Sequence, residues 1–252
     1  MTTTDHNLIK KLLPLVKGLR HYHRHTVCGL NSIPEKGKVL LVVNHSLATY
    51  DIALLFHAIY QERGRLARAL LDRLFYKIPY ISEFMEATGG AIGNSNTAKK
   101  LLELGEIVAV APGGMREALR PSSERYQIRW EKRTGFAKIA IETQTPVVIA
   151  VCPKADDMYE VYPNKLTKWA YQTFKIPVFL ARGVGYTPIP RPVRLTHYLS
   201  EPIIPPQKRK DPEAFKKQVV AFHRKLETKA HKLIADAIHD RPGKFLLSPS
   251  KS

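Results

Sequence analysis

The run Val39-Leu40-Leu41-Val42-Val43 restricts this chain more than any other stretch: five consecutive aliphatic residues, three of them β-branched, emptying into Asn44-His45. A strand with no polar alternation has no face to give to water, so it belongs inside a sheet covered on both sides. From Ile52 onward the residues Ile52, Leu55, Phe56 and Ile59 take helical spacing. His45 and Asp51 therefore fall in a strand-to-helix turn and the first helical turn, where open α/β sheets build their sites.

Six helical steps of about 100° would leave His45 and Asp51 on different faces, so the turn must fold back to bring them together. Asp51 then accepts a hydrogen bond from one imidazole nitrogen, fixes the tautomer and leaves the other nitrogen as a base. An alcohol nucleophile needs such a base, because it does not ionise near neutral pH, whereas a histidine of pKa about 6.5 takes its proton during attack. The plainer reading is that His45 caps the helix or bonds a carbonyl group. A second motif, Ile107 to Leu119, repeats the arrangement: an apolar strand ends in Pro112-Gly113-Gly114, and Arg116 follows. Paired glycines let backbone N–H groups approach a ligand, and a guanidinium offers a planar fork suited to phosphate. Taken alone, Gly113-Gly114 is also simply a turn and Arg116 a surface residue.

Together these blocks resemble the glycerolipid and lysophospholipid (PlsC-like) acyltransferases, whose first motif is Asn-His-x4-Asp and whose later motif is Pro-Glu-Gly-Thr-Arg. Asn44, His45 and Asp51 match the first, with five intervening residues instead of four. Pro112, Gly114 and Arg116 match the second, with Gly113 at the position of the usual Glu and Met115 at that of Thr. Both departures are similar to the branch of diacylglycerol-acyltransferase-type and transmembrane-protein-68-like enzymes. Phe75 to Pro79, Gly89 to Ile92, Lys132 to Ala137 and Thr145 to Val148 agree in order, so the resemblance covers Lys38 to Pro202. It implies an acyl-CoA-dependent O-acyltransferase acting on a glycerolipid hydroxyl: lysophospholipid, glycerol phosphate, diacylglycerol or a related lipid alcohol. His45 would be the base and Asp51 its orienting partner. Asn44 would hold the turn, and Gly113, Gly114 and Arg116 would bind phosphate or the developing oxyanion. The competing classes are a catalytically silent lipid-binding relative and a basic nucleic-acid-binding protein.

Forty basic residues against 22 acidic ones give a formal charge of +18, which calls for an anionic partner: nucleic acid, phospholipid headgroups or a phosphate-rich co-substrate such as acyl-CoA. No stacking platform, zinc finger or helix-turn-helix signature is present, so no nucleic acid is expected. Cys28 and Cys152 have no paired spacing and suggest a reducing compartment, with neither a metal nor a permanently bound cofactor expected. No stretch reaches the ~18 apolar residues of a spanning helix, so a peripheral protein on the cytoplasmic side of an anionic membrane is expected. Residues 7–25 carry an apolar stripe, Leu8 to Leu19, flanked by basic residues and interrupted by Pro14. It suits either an interfacial helix or a packed one.

Strand and helix signals alternate from 38 to 151, predicting an α/β fold with a mainly parallel central sheet flanked by helices, an N-terminal amphipathic helix and a C-terminal helix. Residues 1–30 form the N-terminal amphipathic segment, membrane-interfacial in one of its two readings, 31–240 the acyltransferase domain that the resemblance implies, and 241–252 a flexible tail. Ser95 is expected to cap a helix, and the arginine-rich stretch 118–133 to form a flexible wall over the site. Residues 159–190 are either a second membrane-facing segment or a packing excursion. Asp211 and Pro212 open the last helix.

Overall fold

Every residue from Val39 to Val43 is buried, and the strand they form has a parallel neighbour on each side. In the computed structural model, which describes residues 4–72, 80–162 and 181–239, the elements in chain order are α1 (His6–Tyr22), β1 (Thr26–Cys28), β2 (Val39–Val43), α2 (Tyr50–Arg63), β3 (Ala67–Leu71), α3 (Ile81–Ala87), β4 (Ala91–Ile92), α4 (Ser95–Glu103), β5 (Ile107–Val110), α5 (Gly114–Ala118), α6 (Gly135–Thr143), β6 (Val147–Val151), β7 (Glu160–Val161), β8 (Ala181–Arg182), β9 (Thr196–Leu199) and α7 (Pro212–Ile238). The main sheet has the order β1-β9-β6-β2-β5-β3-β4, parallel throughout except where β9 meets β6. The predicted mainly parallel sheet is therefore present.

Strand geometry sends alternate side chains to opposite faces. Leu40 and Val42 join Leu102 of α4, Phe136 of α6 and Leu226 of α7 in one core. Val39, Leu41 and Val43 join Leu55, Ala58 and Ile59 of α2 in the other. Each buried aliphatic side chain contributes about 1.5–3 kcal/mol, so all five positions hold β2 at the sheet centre.

Two local expectations, the cap of α4 and the loose wall at 118–133, are corrected, and the open reading of the first helix gains contacts. Helix α4 is capped by Asn94, whose Oδ1 accepts from Thr97 N at 2.8 Å, and Ser95 is already helical. Helix α1 runs through Pro14, and its stripe is largely a packing face: Ile9 is buried, Val16 and Leu19 pack beside Leu54 and Met158, and only Leu15 stands out, at 63% exposure. The stretch 118–133 is pinned rather than a loose wall, with Trp130 fully buried, Arg125 paired to Asp157 and Arg129 to Glu124. The Phe75 to Pro79 block, the middle of 159–190 and the tail 241–252 lie outside the described residues.

Candidate active site

Strands β2 and β6 end side by side, and Asn44 fastens them. Its N–H donates to Ala150 O at 3.3 Å and its Oδ1 accepts from Cys152 N at 2.8 Å. Asn44 is buried, with its Nδ2 unpartnered.

His45 follows, half-buried at the mouth of the sheet. Its Nδ1 lies 3.0 Å from Ser46 O. A carbonyl only accepts, so Nδ1 carries the proton and Nε2 keeps its lone pair. Burial, and secondarily the nearby Arg120, hold the imidazole below its ordinary pKa, against the pull of the Ser46 carbonyl, so the ring is neutral at pH 7. The expected direct bond from His45 to Asp51 is not formed. Ser46 stands between them: its hydroxyl donates to Asp51 Oδ1 at 2.7 Å while its carbonyl holds the ring. The cause lies in the turn, where Thr49 adopts φ +60° ahead of α2 and Ser46 Oγ accepts from Thr49 N at 3.3 Å. Asp51 is thereby directed into the interior, 1% exposed, and burial pushes its carboxyl up to about 6, with the Ser46 hydroxyl opposing.

The second motif meets the first through a residue the sequence reading passed over. Glu117 of α5 is fully buried and accepts from His45 N at 2.6 Å and Arg129 N at 2.9 Å. A Cβ at position 113 would lie 2.1 Å from Glu117 Oε2, so Gly113 is required for that carboxylate to sit there. Arg120, one turn on, donates to His45 O at 2.8 Å and pairs with buried Asp156. Burial raises the Glu117 and Asp156 carboxyls, and the Arg120 guanidinium opposes both. His45 is thus held at its N–H, its carbonyl and its ring.

Gly114 has φ +51°, which only glycine adopts freely, but its N–H donates to Ala111 O at 3.0 Å. Arg133 binds the carbonyls of Pro112 and Gly113 at 2.8 and 2.7 Å. The glycine pair is therefore mostly committed to the turn. Arg116 does not join the buried network: it is exposed and paired with Glu131 at 3.0 Å. The missed residues Ser46, Glu117, Arg120 and Asp156 left little signal, except that Glu117 and Arg120 are spaced i, i+3 directly after the glycines.

Asp51, Cys152 and His197 offer ligand atoms within 4.8 Å of one another. Burial pushes the Cys152 thiol above its ordinary pKa, and the Asp51 charge adds to that.

Residues 24–152 match the family model described as Acyltransferase. A Bos taurus protein named "DGAT1/2-independent enzyme synthesizing storage lipids" is 31% identical over 183 residues, covering 72% of this chain and 53% of that protein. An uncharacterized Mycobacterium tuberculosis protein is 28% identical over 194 residues, covering 73% and 53%. The chain spans about half the length of the curated relatives it matches. The crystal structure of the 1-acyl-sn-glycerophosphate (LPA) acyltransferase PlsC from Thermotoga maritima shares the fold, with a TM-score of 0.51 at 18% identity over 88% of this chain and 79% of that one.

Proposed function

This chain belongs to the acyltransferase family, and on that premise we propose that it transfers a fatty acyl group from acyl-CoA to the hydroxyl of a glycerolipid or related lipid alcohol. The observation that carries the reading is His45, held neutral with Nδ1 tied to the Ser46 carbonyl and with no hydrogen-bond partner for Nε2 among the described residues. In the proposed step, Nε2 takes the alcohol proton as the alcohol oxygen attacks the thioester carbonyl. The tetrahedral adduct collapses, the C–S bond breaks, and the departing sulfur leaves as thiolate or recovers the proton from His45. A thiol of pKa about 8.5 leaves without strong acid help, so one base serves and no acyl-enzyme is needed.

Asp51 acts through Ser46, and Asn44 through the joined strand ends. Arg116 has only a surface partner, a contact worth about 0–1 kcal/mol, and we assign it to a phosphate of the co-substrate. We assign Gly113 and Gly114 to the shape of the turn that seats Glu117 against His45. The Bos taurus relative's name favours a storage-lipid precursor such as diacylglycerol as acceptor. We further place the protein peripherally on an anionic, cytoplasm-facing membrane. No helix among the described residues is long and apolar enough to cross one. Tyr186 and Ile189 are exposed, and the carbonyl of Pro190, next to Ile189, accepts from the Tyr22 hydroxyl at 2.7 Å.

The test is purified protein with labelled acyl-CoA and a panel of lipid alcohols. Transfer is expected with at least one acceptor and is expected to disappear in His45→Ala and fall sharply in Asp51→Asn. Unchanged rates in either variant would reject the assigned roles.

A further inference from the structure

Asp51 has a second oxygen that the site does not use. Oδ2 is buried without a hydrogen-bond partner, and His197 Nε2 on β9 stands 3.8 Å from it. Behind His197 runs a line of polar groups, half-buried at Arg20 and buried at His25, whose proton positions follow from their chemistry. Arg20 Nε on α1 donates to His25 Nδ1 at 3.0 Å. A guanidinium has donors only, so His25 Nδ1 must be a lone pair. Neutral His25 then carries its proton on Nε2, which lies 2.9 Å from His197 Nδ1. That nitrogen must accept, so neutral His197 carries its own proton on Nε2, facing Asp51. Both rings stay neutral because both are buried, His197 being driven down to about 3.

We propose that Arg20, His25 and His197 form a positioning relay in which an arginine on the N-terminal helix fixes the tautomers of two buried histidines and presents an N–H to the free oxygen of Asp51. At 3.8 Å the contact is longer than a hydrogen bond, and a shift of under 1 Å closes it, as catalytic contacts commonly tighten on substrate binding. The relay favours the ionised form of Asp51, which anchors Ser46 and through it the His45 ring. It rests on the acyl-transfer reading of His45 and Asp51. It also ties α1 to the site, since β1 carries the chain from His25 along β9 in the register Val27↔His197.

The other groups around the relay are accounted for. Asp51 is faced by the Ser46 hydroxyl, by Arg120 and Asp156 across the site, by the Cys152 thiol on the end of β6 and by neighbouring Tyr50. Arg20 is shared with His57 Nδ1 of α2 at 3.2 Å and lies near Glu62, while Lys17 faces His57 and His23 faces His25. None of these is placed as a donor to Asp51 Oδ2.

Two measurements on the full chain test the relay. With 15N-labelled histidine, NMR is expected to show His25 and His197 as Nε2–H tautomers from about pH 5 to 8, well above their depressed pKa values, and Arg20→Met is expected to leave His25 with mixed tautomers. In acyl-transfer assays, His197→Phe removes the donor, so the acid limb of the kcat/KM profile should move up by about one pH unit, lowering kcat/KM at pH 6 roughly five-fold. His197→Gln, which keeps an N–H, should restore the profile, and KM for acyl-CoA should not move. A merely structural His197 would lower stability without displacing the limb. An Nδ1–H tautomer of His197 in the unmodified protein, or a His197→Phe profile superimposed on the original, would overturn the relay. If no acceptor is acylated at all, the functional reading fails, and the tautomers still decide the relay. If His197→Phe does not fold, the Arg20→Met spectrum decides it.

Discussion

Asp51 is held at a cost that packing alone does not explain. Its carboxyl is fully buried, one oxygen lacks a partner, and its pKa rises from 3.8 to about 6. A carboxyl whose folded pKa is raised binds its proton more tightly when folded, so its stabilising contribution is complete below about pH 4 and is lost as pH rises through about 6. Asp51→Asn, which needs no buried charge, should therefore unfold at higher temperature than the original protein at pH 8, by an amount equivalent to about 2–3 kcal/mol, while losing most activity. The difference should shrink towards zero near pH 4. Equal melting temperatures at both pH values would show that Asp51 is not strained by burial. Gly113 and Glu117 are coupled more directly, since a Cβ at 113 meets the Glu117 carboxylate at 2.1 Å. Gly113→Ala should cost about 1–3 kcal/mol by overpacking, and most of that cost should vanish in a Glu117→Gly background, which removes both the carboxylate and the Glu117 Cβ that would lie 2.5 Å away, as a double-mutant cycle of denaturant midpoints would show. Additive costs would mean that the two positions do not share that space.

The elements differ in how far the sequence announces them. β2, β5 and β6 are short apolar runs, and α6 and α7 repeat their apolar residues at helical spacing, so local pattern suffices to place them. β1 has three residues and β4, β7 and β8 two each, too few to show a period. The β1 that was not foreseen is also what carries His25 to His197. In the site, His45 and Asp51 were legible because they sit where the apolar run stops. Glu117, Arg120 and Asp156 were not, because burial of a charged side chain is settled by distant elements and leaves no mark on its neighbours. The direct bond from His45 to Asp51 was expected from residue types, and it fails because the turn inserts Ser46 between them. Helix α1 shows the same limit: its stripe fits either a membrane or a protein face, and its spacing does not announce that Val16 and Leu19 pack with Leu54 of α2. Removal of residues 1–28 should therefore damage the fold itself, through loss of the Ile9, Val16 and Leu19 contacts and of Arg20. Circular dichroism should show a melting transition lowered by several degrees or lost. A truncated chain that melts like the full one would return α1 to the surface.

At the scale of the whole molecule, the surplus of +18 is spread over exposed groups on separate elements, including Lys10, Lys11 and Lys17 on α1, Lys208, Arg209 and Lys210 in the loop before α7, and Lys216, Lys217, Lys225, Lys229 and Lys232 on α7. Such a distribution attracts an anionic surface from many orientations, so charge alone gives attraction without a fixed pose. On the proposed membrane docking, Tyr186 at 90% exposure and Ile189 at 56%, with Arg182 lying 5.2 Å over the Tyr186 ring, would supply the element that charge lacks. An aromatic ring with a cation at its face suits the headgroup boundary. Each basic group near an anionic surface contributes about 1 kcal/mol, a term that salt screens, whereas burying the isoleucine and tyrosine contributes a few kcal/mol that salt does not screen. Two independent losses follow in sedimentation with phosphatidylserine-containing vesicles. Raising salt from about 0.1 M to 1 M, which shortens the screening length from about 10 Å to 3 Å, should remove most of the binding and leave a residue. The double substitution Tyr186→Ser with Ile189→Ser should remove that residue while leaving the melting temperature unchanged, because neither side chain is buried. Salt-resistant binding that survives the double substitution would move the apolar contact elsewhere on the surface, and binding indifferent to salt would show that the basic surplus serves another anion.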